Sequence, residues 1–273
     1  MVALYLAVVR TYWGQRLDEH ALAGRALVKG RPSAGADDLL SAISVGSLVL
    51  AVLALVMLAI VQRKPAAALL AFVVVAGSLL ITELLKLELL TRPSLVPSVV
   101  LDNSYPSGHT TIGIGVGLAM VLVAPARLRI PAAIGATVLA AAVGIATVAA
   151  GWHRPSDAVA AYLVALAVAA TATAAMLRFA PAGAPSADAT WTHDVITSLR
   201  ENRSGPAELT LGAMVLLGAA LFGLALLRSG NGTWNTAGIG FLLSAAAIAA
   251  SAAAAVLALV LALSRIEPPA GRR

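Results

Sequence analysis

The sequence Ser-Tyr-Pro-Ser-Gly-His-Thr-Thr, residues 104–111, joins a polar loop to a long apolar run. Pro106 fixes its own φ angle and Gly108 permits tight backbone, so we predict a turn and then a helix that begins within residues 106–109. The first N–H groups of a helix are unpaired and carry partial positive charge, which suits an anion. A serine hydroxyl, a glycine and a titratable histidine thus converge at an anion-binding position. A capped membrane helix with an interfacial histidine would show the same local pattern.

The composition of the chain indicates a membrane protein. Of its 273 residues, 60% are hydrophobic and 12% are charged, with a mean hydropathy of +0.91. Globular domains carry about 25% charged residues. The net charge of +6 lies in short connectors between apolar runs, which favours loops that orient the chain in a bilayer over nucleic-acid binding. There is no cysteine, which excludes disulfides, thiolate metal sites and a cysteine nucleophile.

The apolar runs predict the order of the membrane spans. Residues 1–9 are apolar but shorter than the roughly 20 residues that a span needs, so we expect a short first helix. Residues 10–38 are polar and are expected along a membrane surface, with Tyr12 and Trp13 at the headgroup level. Spans are predicted over residues 39–61, 66–90, 109–124, 131–150, 158–177, 209–227 and 237–263.

Positive charge in the short loops predicts the orientation of the spans. Most lysine and arginine residues that border the spans fall on one side, which we expect to be cytoplasmic. They are Arg63, Lys64, Arg127, Arg129, Arg178, Arg200, Arg203, Arg265, Arg272 and Arg273. The basic segment 10–38 falls on the opposite side and is an exception to this rule. The loops 91–108, 151–157 and 229–236 are then extracytoplasmic.

Three polar clusters lie at helix ends on the predicted external side. The first contains Lys86 and Arg92, and the second is the stretch 104–111. A charged residue costs about 2.5–3.5 kcal/mol at the membrane centre and less near a helix end. Lys86 and Arg92 taken singly could therefore be snorkelling cations with no ligand.

The third cluster is His-Arg-Pro-Ser-Asp, residues 153–157. If this segment is helical, His153 and Asp157 share a face. A carboxylate beside an imidazole fixes its tautomer and raises its basicity, which makes His153 a candidate nucleophile or general base. The alternative is structural, because Ser156 and Asp157 are also good helix caps.

Together the clusters supply cations, backbone N–H groups, two histidines and one aspartate. Their spacing does not match a zinc pattern. Cations and N–H groups bind a phosphoryl group in both ground and transition states. One histidine can attack phosphorus while the other protonates the leaving oxygen.

At these residues the sequence resembles the type-2 phosphatidic acid phosphatase superfamily of membrane lipid phosphatases. The pattern of that family is Lys-x6-Arg-Pro, then Pro-Ser-Gly-His, then Ser-Arg-x5-His-x3-Asp. The second motif is intact at residues 106–109, and the third keeps His153 and Asp157 at the family spacing. The resemblance covers about residues 10–178.

The resemblance implies a role for each matching residue. His153 would be the nucleophile that forms a phosphohistidine, Asp157 would orient it, and His109 would be the acid for the leaving group. No metal or other cofactor would be needed. The phosphate would be held by Lys86, Arg92, Ser107 and Gly108.

Two departures from the family pattern affect these assignments. Five residues, not six, separate Lys86 from Arg92, which turns Lys86 by about 100° unless the helix end is irregular. Ala146 and Thr147 stand where the family has Ser-Arg. Arg154, beside the proposed nucleophile, is our candidate replacement for the absent arginine.

We therefore expect an all-α, polytopic transmembrane helix bundle. A six-helix core resembling lipid phosphatases would cover residues 1–178, with the short first helix at 1–9 and the surface segment at 10–38. A cytoplasmic loop would follow at residues 179–208, and two extra transmembrane helices with a tail at residues 209–273. These two helices could dock a partner or a second copy of the chain.

The expected reaction is metal-independent hydrolysis of a polyprenyl or glycerolipid phosphate or diphosphate. It would take place at the extracytoplasmic face of the plasma membrane, with the bilayer and the phosphorylated lipid as partners and no nucleic acid. One alternative is a phosphotransferase that passes the phosphoryl group to a lipid or sugar acceptor. Another is a binding or scaffold protein with a decayed site, which Thr147 favours and the intact His109, His153 and Asp157 oppose.

Overall fold

The computed structural model describes residues 1–28, 31–100, 102–125, 128–178 and 236–265. Within these ranges the regular elements are all helical, which confirms the predicted all-α class. In chain order the helices are α1 (Val2–Leu4), α2 (Tyr12–Ala23), α3 (Arg31–Ala42), α4 (Val45–Val61), α5 (Pro65–Leu84), α6 (Gly108–Val123), α7 (Arg129–Ala149), α8 (Pro155–Arg178) and α9 (Thr236–Arg265). The π-helical turns Tyr5–Val9 and Leu85–Leu89 extend α1 and α5, and a 3-10 turn, Gly24–Val28, extends α2.

Four helices in the described part of the chain are long and apolar enough to cross a membrane. They are Pro65–Leu89, Arg129–Ala149, Pro155–Met176 and Ala237–Leu263. The bent pair Gly35–Ala42 and Gly46–Val61 would make a fifth span if it is counted as one. These helices fit a multi-pass membrane protein. The predicted loop 179–208 and span 209–227 lie outside the described residues, so the full number of spans stays a prediction.

The span predicted over residues 39–61 is not a single helix, because the helix breaks at residues 43–44. The side chain of Ser44 accepts a hydrogen bond from the N–H of Ser47 at 3.2 Å, and the Ser47 hydroxyl accepts one from the N–H of Ser44 at 2.8 Å. This reciprocal pair caps the start of α4. The two helices differ in direction by 61°, so residues 39–42 belong to α3, which packs against α7.

Small residues allow α6 to lie at the centre of the bundle, between α5, α7 and α8. A Cβ atom on Gly117 would lie only 3.1 Å from the Cα of Ala136, and one on Gly113 only 3.2 Å from the side chain of Val143. Close backbone approach through small side chains is the usual way that membrane helices pack. The beginning of α6, which carries His109, is therefore held firmly among its neighbours.

The last described helix, α9, packs against α2, α7 and α8. Phe241 and Ile248 of α9 are buried in the main hydrophobic core. A Cβ atom on Gly24, at the end of α2, would lie 2.7 Å from the Cβ of Phe241. The span predicted at residues 237–263 is thus part of the same packed body as the N-terminal helices.

Candidate active site

Hydrogen bonds between loops join the three polar clusters predicted from the sequence. The N–H of Ser107, before α6, donates to the carbonyl of Asp157 at 3.1 Å. The hydroxyl of Ser104 donates to Oδ2 of Asp157 at 2.6 Å. The amide of Asn103 donates to the carbonyls of Lys86 at 2.9 Å and Leu90 at 2.8 Å. The ends of α5, α6 and α8 therefore form one site.

His153 and Asp157 face each other, with Nδ1 of the histidine 3.5 Å from Oδ2 of the aspartate. This contact does not arise from the helical spacing predicted from the sequence, because α8 begins only at Pro155 and His153 precedes it. The turn before α8 places the ring, since the carbonyl of Thr147 accepts from the N–H groups of Trp152 at 3.0 Å and His153 at 3.2 Å. With Nδ1 directed at the carboxylate, Nε2 is the nitrogen left for an incoming phosphorus atom.

Asp157 is fully buried and held on more than one side. Its Oδ2 accepts from the N–H of Arg154 at 2.9 Å as well as from Ser104. Its Oδ1 has no hydrogen-bond partner among the described residues. A buried carboxylate fixed in this way can orient His153 and stabilise positive charge on its ring.

His109, the second residue of α6, lies beside His153. The centroids of the two imidazole rings are 6.4 Å apart. Trp152 packs edge-on against His109 at 5.3 Å between ring centroids. A single phosphoryl group could contact both histidines at this separation.

Ser107 and Gly108 form the N-terminal end of α6. Ser107 is buried and caps the helix, since its side chain accepts from the N–H of Thr110 at 3.3 Å. A Cβ atom on Gly108 would lie 2.9 Å from Oε1 of Glu83 and 3.7 Å from Nζ of Lys86. The missing side chain of Gly108 thus lets a lysine–glutamate ion pair, joined at 2.6 Å, approach the helix end.

Lys86 faces the start of α6 although five residues, not six, separate it from Arg92. The end of α5 is irregular, because Leu85–Leu89 forms a π-helical turn in which the N–H of Leu90 donates to the carbonyl of Leu85 at 2.8 Å. A π-helical turn contains more residues than an α-helical one and so changes the direction of the side chains. The ammonium group consequently lies beside Gly108.

Arg92 lies between two carboxylates. Its Nη1 is 3.9 Å from Oδ1 of Asp157, and its Nη2 is 3.5 Å from Oδ2 of Asp18. The side chain is only 6% exposed, yet Nη1 lacks a hydrogen-bond partner within the described ranges. A buried guanidinium nitrogen with an unused donor suits an anionic oxygen.

Arg154 is occupied by contacts with the protein. Its guanidinium group donates to the carboxylate of Glu19, to the hydroxyl of Ser104 at 3.1 Å, to the hydroxyl of Ser98 and to the carbonyl of Val100 at 2.6 Å. The residue is 2% exposed. This geometry favours a role in fastening α2 to the loop before α6, and it disfavours Arg154 as a replacement phosphate ligand.

The structure also brings to the site charged residues that sequence reasoning assigned to a surface segment. Asp18 and Glu19 contact Arg92 and Arg154, and the guanidinium carbon of Arg25 lies 3.0 Å from where a Cβ of Gly151 would be. Only the structure shows which face of α2 is buried. Gln15, Asp18 and Leu22 share that face, which a mixed polar and apolar pattern does not mark as buried.

The described residues contain no group of three or more histidine, aspartate or glutamate side chains arranged to hold a metal ion. The polar groups that converge at the site are those of an anion-binding site with two histidines.

A comparison with models of protein families identifies the family of this chain. The family model of the PAP2 superfamily matches residues 4–181, more than half of the chain. The chain belongs to the PAP2 superfamily. This confirms the resemblance to type-2 phosphatidic acid phosphatases. Comparison with curated proteins and with solved structures gave no match.

Membership of the PAP2 superfamily supports phosphatase activity on a phosphorylated substrate, and so a hydrolase. The apolar helices fit a multi-pass membrane protein. A membrane-bound phosphorylated substrate follows from the two observations together. The PAP2 match ends at residue 181 and so leaves α9 outside it.

Proposed function

We propose that this protein hydrolyses a lipid phosphate or diphosphate through a phosphohistidine on His153. The observation that carries the proposal is the pairing of His153 with the buried Asp157, at 3.5 Å, beside a second histidine whose ring centroid lies 6.4 Å away. A nucleophile, the group that orients it and an acid are then within reach of one phosphoryl group.

In the first step, Nε2 of His153 donates its electron pair to phosphorus. The bond between phosphorus and the oxygen of the lipid breaks, and His109 supplies the proton that this oxygen takes. Asp157 stabilises the positive charge that develops on the ring of His153. In the second step, water attacks phosphorus, its proton returns to His109, and the phosphorus–nitrogen bond breaks to release inorganic phosphate.

The cations and the end of α6 would hold the phosphoryl group. Arg92 offers its buried Nη1, Lys86 lies beside Gly108, and the unpaired N–H groups at the start of α6 add further donors. Fixed donors of this kind stabilise the charge of the transition state without having to reorganise. Ser107 holds this end of α6 through its cap.

A lipid substrate is supported by the position of the site at the ends of apolar helices. A headgroup can reach this level while its hydrocarbon chains stay in the bilayer. We place the site on the extracytoplasmic face of the plasma membrane, in line with the charge of the loops. Polyprenyl and glycerolipid phosphates both satisfy the chemistry.

The test is phosphate release by the purified protein in detergent, with EDTA present, from a panel of polyprenyl diphosphates and phosphatidate. We expect release from at least one lipid, and a loss of about a hundredfold or more in His153→Ala. His20→Ala is a matched control, since His20 is an exposed histidine of α2 and should leave release unchanged. Full release by His153→Ala would disprove the phosphohistidine. Absence of release from every lipid would favour a phosphotransferase that needs an acceptor, or a binding or scaffold protein with a decayed site.

A further inference from the structure

Helix α2 contributes a carboxylate to the site. Asp18 lies on the buried face of α2 and its side chain is only 5% exposed. The carboxylate contacts Ser156, at the start of α8, and Arg92, in the loop after α5. It therefore joins two segments that carry the proposed chemistry.

The contact with Ser156 completes the N-terminal end of α8. Oδ1 of Asp18 accepts from the N–H of Ser156 at 3.1 Å, and Oδ2 accepts from its hydroxyl. The first N–H groups of a helix need partners from outside the helix, and a carboxylate is favoured there by the helix dipole. Here that partner comes from a separate helix. Its contact holds the turn of α8 in which Asp157 lies.

The contact with Arg92 fixes the guanidinium group from the side opposite Asp157. Nη2 faces Asp18 at 3.5 Å and Nη1 faces Asp157 at 3.9 Å. A guanidinium group held by two carboxylates has little freedom to rotate. The neighbouring carboxylate, Glu19, pairs with Arg154, so Asp18 is the residue of α2 that contacts Arg92.

We propose that Asp18 is a positioning residue, which holds Arg92 in register with the His153–Asp157 pair so that its Nη1 can bind the phosphoryl group. The inference rests on the proposed function for the identity of that group. Asp18 itself touches no reacting atom. It acts through Arg92.

Charge balance gives a physical reason for the coupling. Burial and the negative charge of Asp157 raise the pKa of Asp18, while the hydrogen bonds from Ser156 and the charge of Arg92 lower it, and the net result is a pKa of about 6. At neutral pH Asp18 is thus ionised, and Arg92 is the cation between two buried carboxylates. Removal of Asp18 leaves Arg92 attracted to Asp157 alone.

A double-mutant cycle tests the proposal. Asp18→Asn retains the shape of the side chain and removes its charge, and we expect it to lower kcat/KM by about tenfold. In a protein that already carries Arg92→Ala, the same change should lower kcat/KM less than about twofold, because the group that Asp18 positions is gone. Asp38→Asn, an exposed aspartate of α3, is the matched control and should leave kcat/KM unchanged.

Three outcomes would overturn the proposal. Equal effects of Asp18→Asn with and without Arg92 would mean that it only destabilises the fold. Unchanged activity would show that the contact has no role. A more active Asp18→Asn protein would mean that the carboxylate competes with phosphate for Arg92.

A binding measurement separates this inference from the proposed function. Inorganic phosphate should raise the thermal unfolding temperature of the wild type, and either Asp18→Asn or Arg92→Ala should remove the rise. That result in a protein with no phosphatase activity would reject the proposed function and keep the role of Asp18. Activity in Asp18→Asn equal to the wild type would reject the role of Asp18 alone. A wild type without activity and without a response to phosphate would reject both.

Discussion

At the scale of single residues, the site depends on a side chain that is missing. Gly108 stands where α6 begins and where the ion pair of Lys86 and Glu83 comes closest. Any other residue would place a Cβ atom against that pair. A Cβ atom at this position would push the Glu83 carboxylate away from the start of α6.

We expect Gly108→Ala to lower phosphate release by about tenfold, because the added carbon displaces the Glu83 carboxylate and so shifts Lys86, its ion-pair partner, at the end of α6. Release from the preferred lipid, measured in detergent, checks this. Gly35→Ala is the matched control, since a Cβ atom on Gly35 of α3 would have nothing within 4 Å. Equal activity of the two variants would contradict the assignment of Gly108.

Asp18 predicts a dependence of stability on pH. Burial and the charge of Asp157 raise its pKa from 3.8 to about 6 in the folded protein. The folded protein then holds this proton more tightly than the unfolded chain does. The resulting stabilisation, roughly 3 kcal/mol, is fully present below pH 3.8 and is lost as the pH rises through 6.

Thermal unfolding in detergent at several pH values, for the wild type and Asp18→Asn, measures this contribution. As the pH rises from 4 to 7, the unfolding temperature of the wild type should fall relative to that of the variant. A constant difference across this range would show that the pKa of Asp18 is not raised.

The residues of the site differ in how far they could be predicted from sequence. His109, His153 and Asp157 were predicted together because each lies in a short motif with its own local chemistry. Asp18 could not be predicted as a residue of the site, because its partners Arg92 and Ser156 are distant in the chain. In addition, a polar helix face is usually exposed to solvent.

At the scale of elements, α2 contributes contacts to the site in addition to its predicted place on a membrane surface. Its carboxylates reach the start of α8 and the loop that precedes α6, so the helix fastens together segments that would otherwise meet only at the site. The break at Ser44 and the π-helical turn of α5 were not predicted, because hydropathy reports where apolar residues lie and not how their backbone bonds are arranged.

Arg154→Ala should weaken the attachment of α2 to the loop before α6. It leaves Glu19 without its ion pair and frees Ser98 and Val100 of the loop, so we expect a loss of about 2–4 kcal/mol of stability. Arg92→Ala should also lower stability, because it leaves Asp18 and Asp157 without their cation, but unlike Arg154→Ala it should in addition weaken the binding of inorganic phosphate. Thermal unfolding with and without phosphate compares the two variants. If Arg154→Ala lost phosphate binding while its stability stayed unchanged, Arg154 would be a phosphate ligand, as predicted from the sequence.

At the scale of the whole molecule, the helix outside the family match contributes to the packing of the site. Hydropathy predicted α9 as a span, but its neighbours could not be predicted, since apolar periodicity does not say which helix an apolar face meets. The structure packs it on α2, through Phe241 and Gly24, and on α7 and α8.

Phe241→Ala should therefore impair both stability and catalysis. The side chain is 1% exposed, so its removal should cost about 3 kcal/mol and let α2 move away from the site, lowering phosphate release. Leu243→Ala on the same helix is the matched control, because Leu243 is 67% exposed and should behave like the wild type. Equal unfolding temperatures for the two variants would show that α9 does not hold α2.

The packing of α2 on α9 also has a consequence for how the protein is made. A ribosome releases α2 well before α9, so α2 reaches the membrane without the helix that later packs against it. We expect the contacts of Asp18 with Arg92 and Ser156 to become firm once α9 has been inserted. A chain cut short after α8 should therefore release less phosphate than the full chain, although His109 and His153 had both been made.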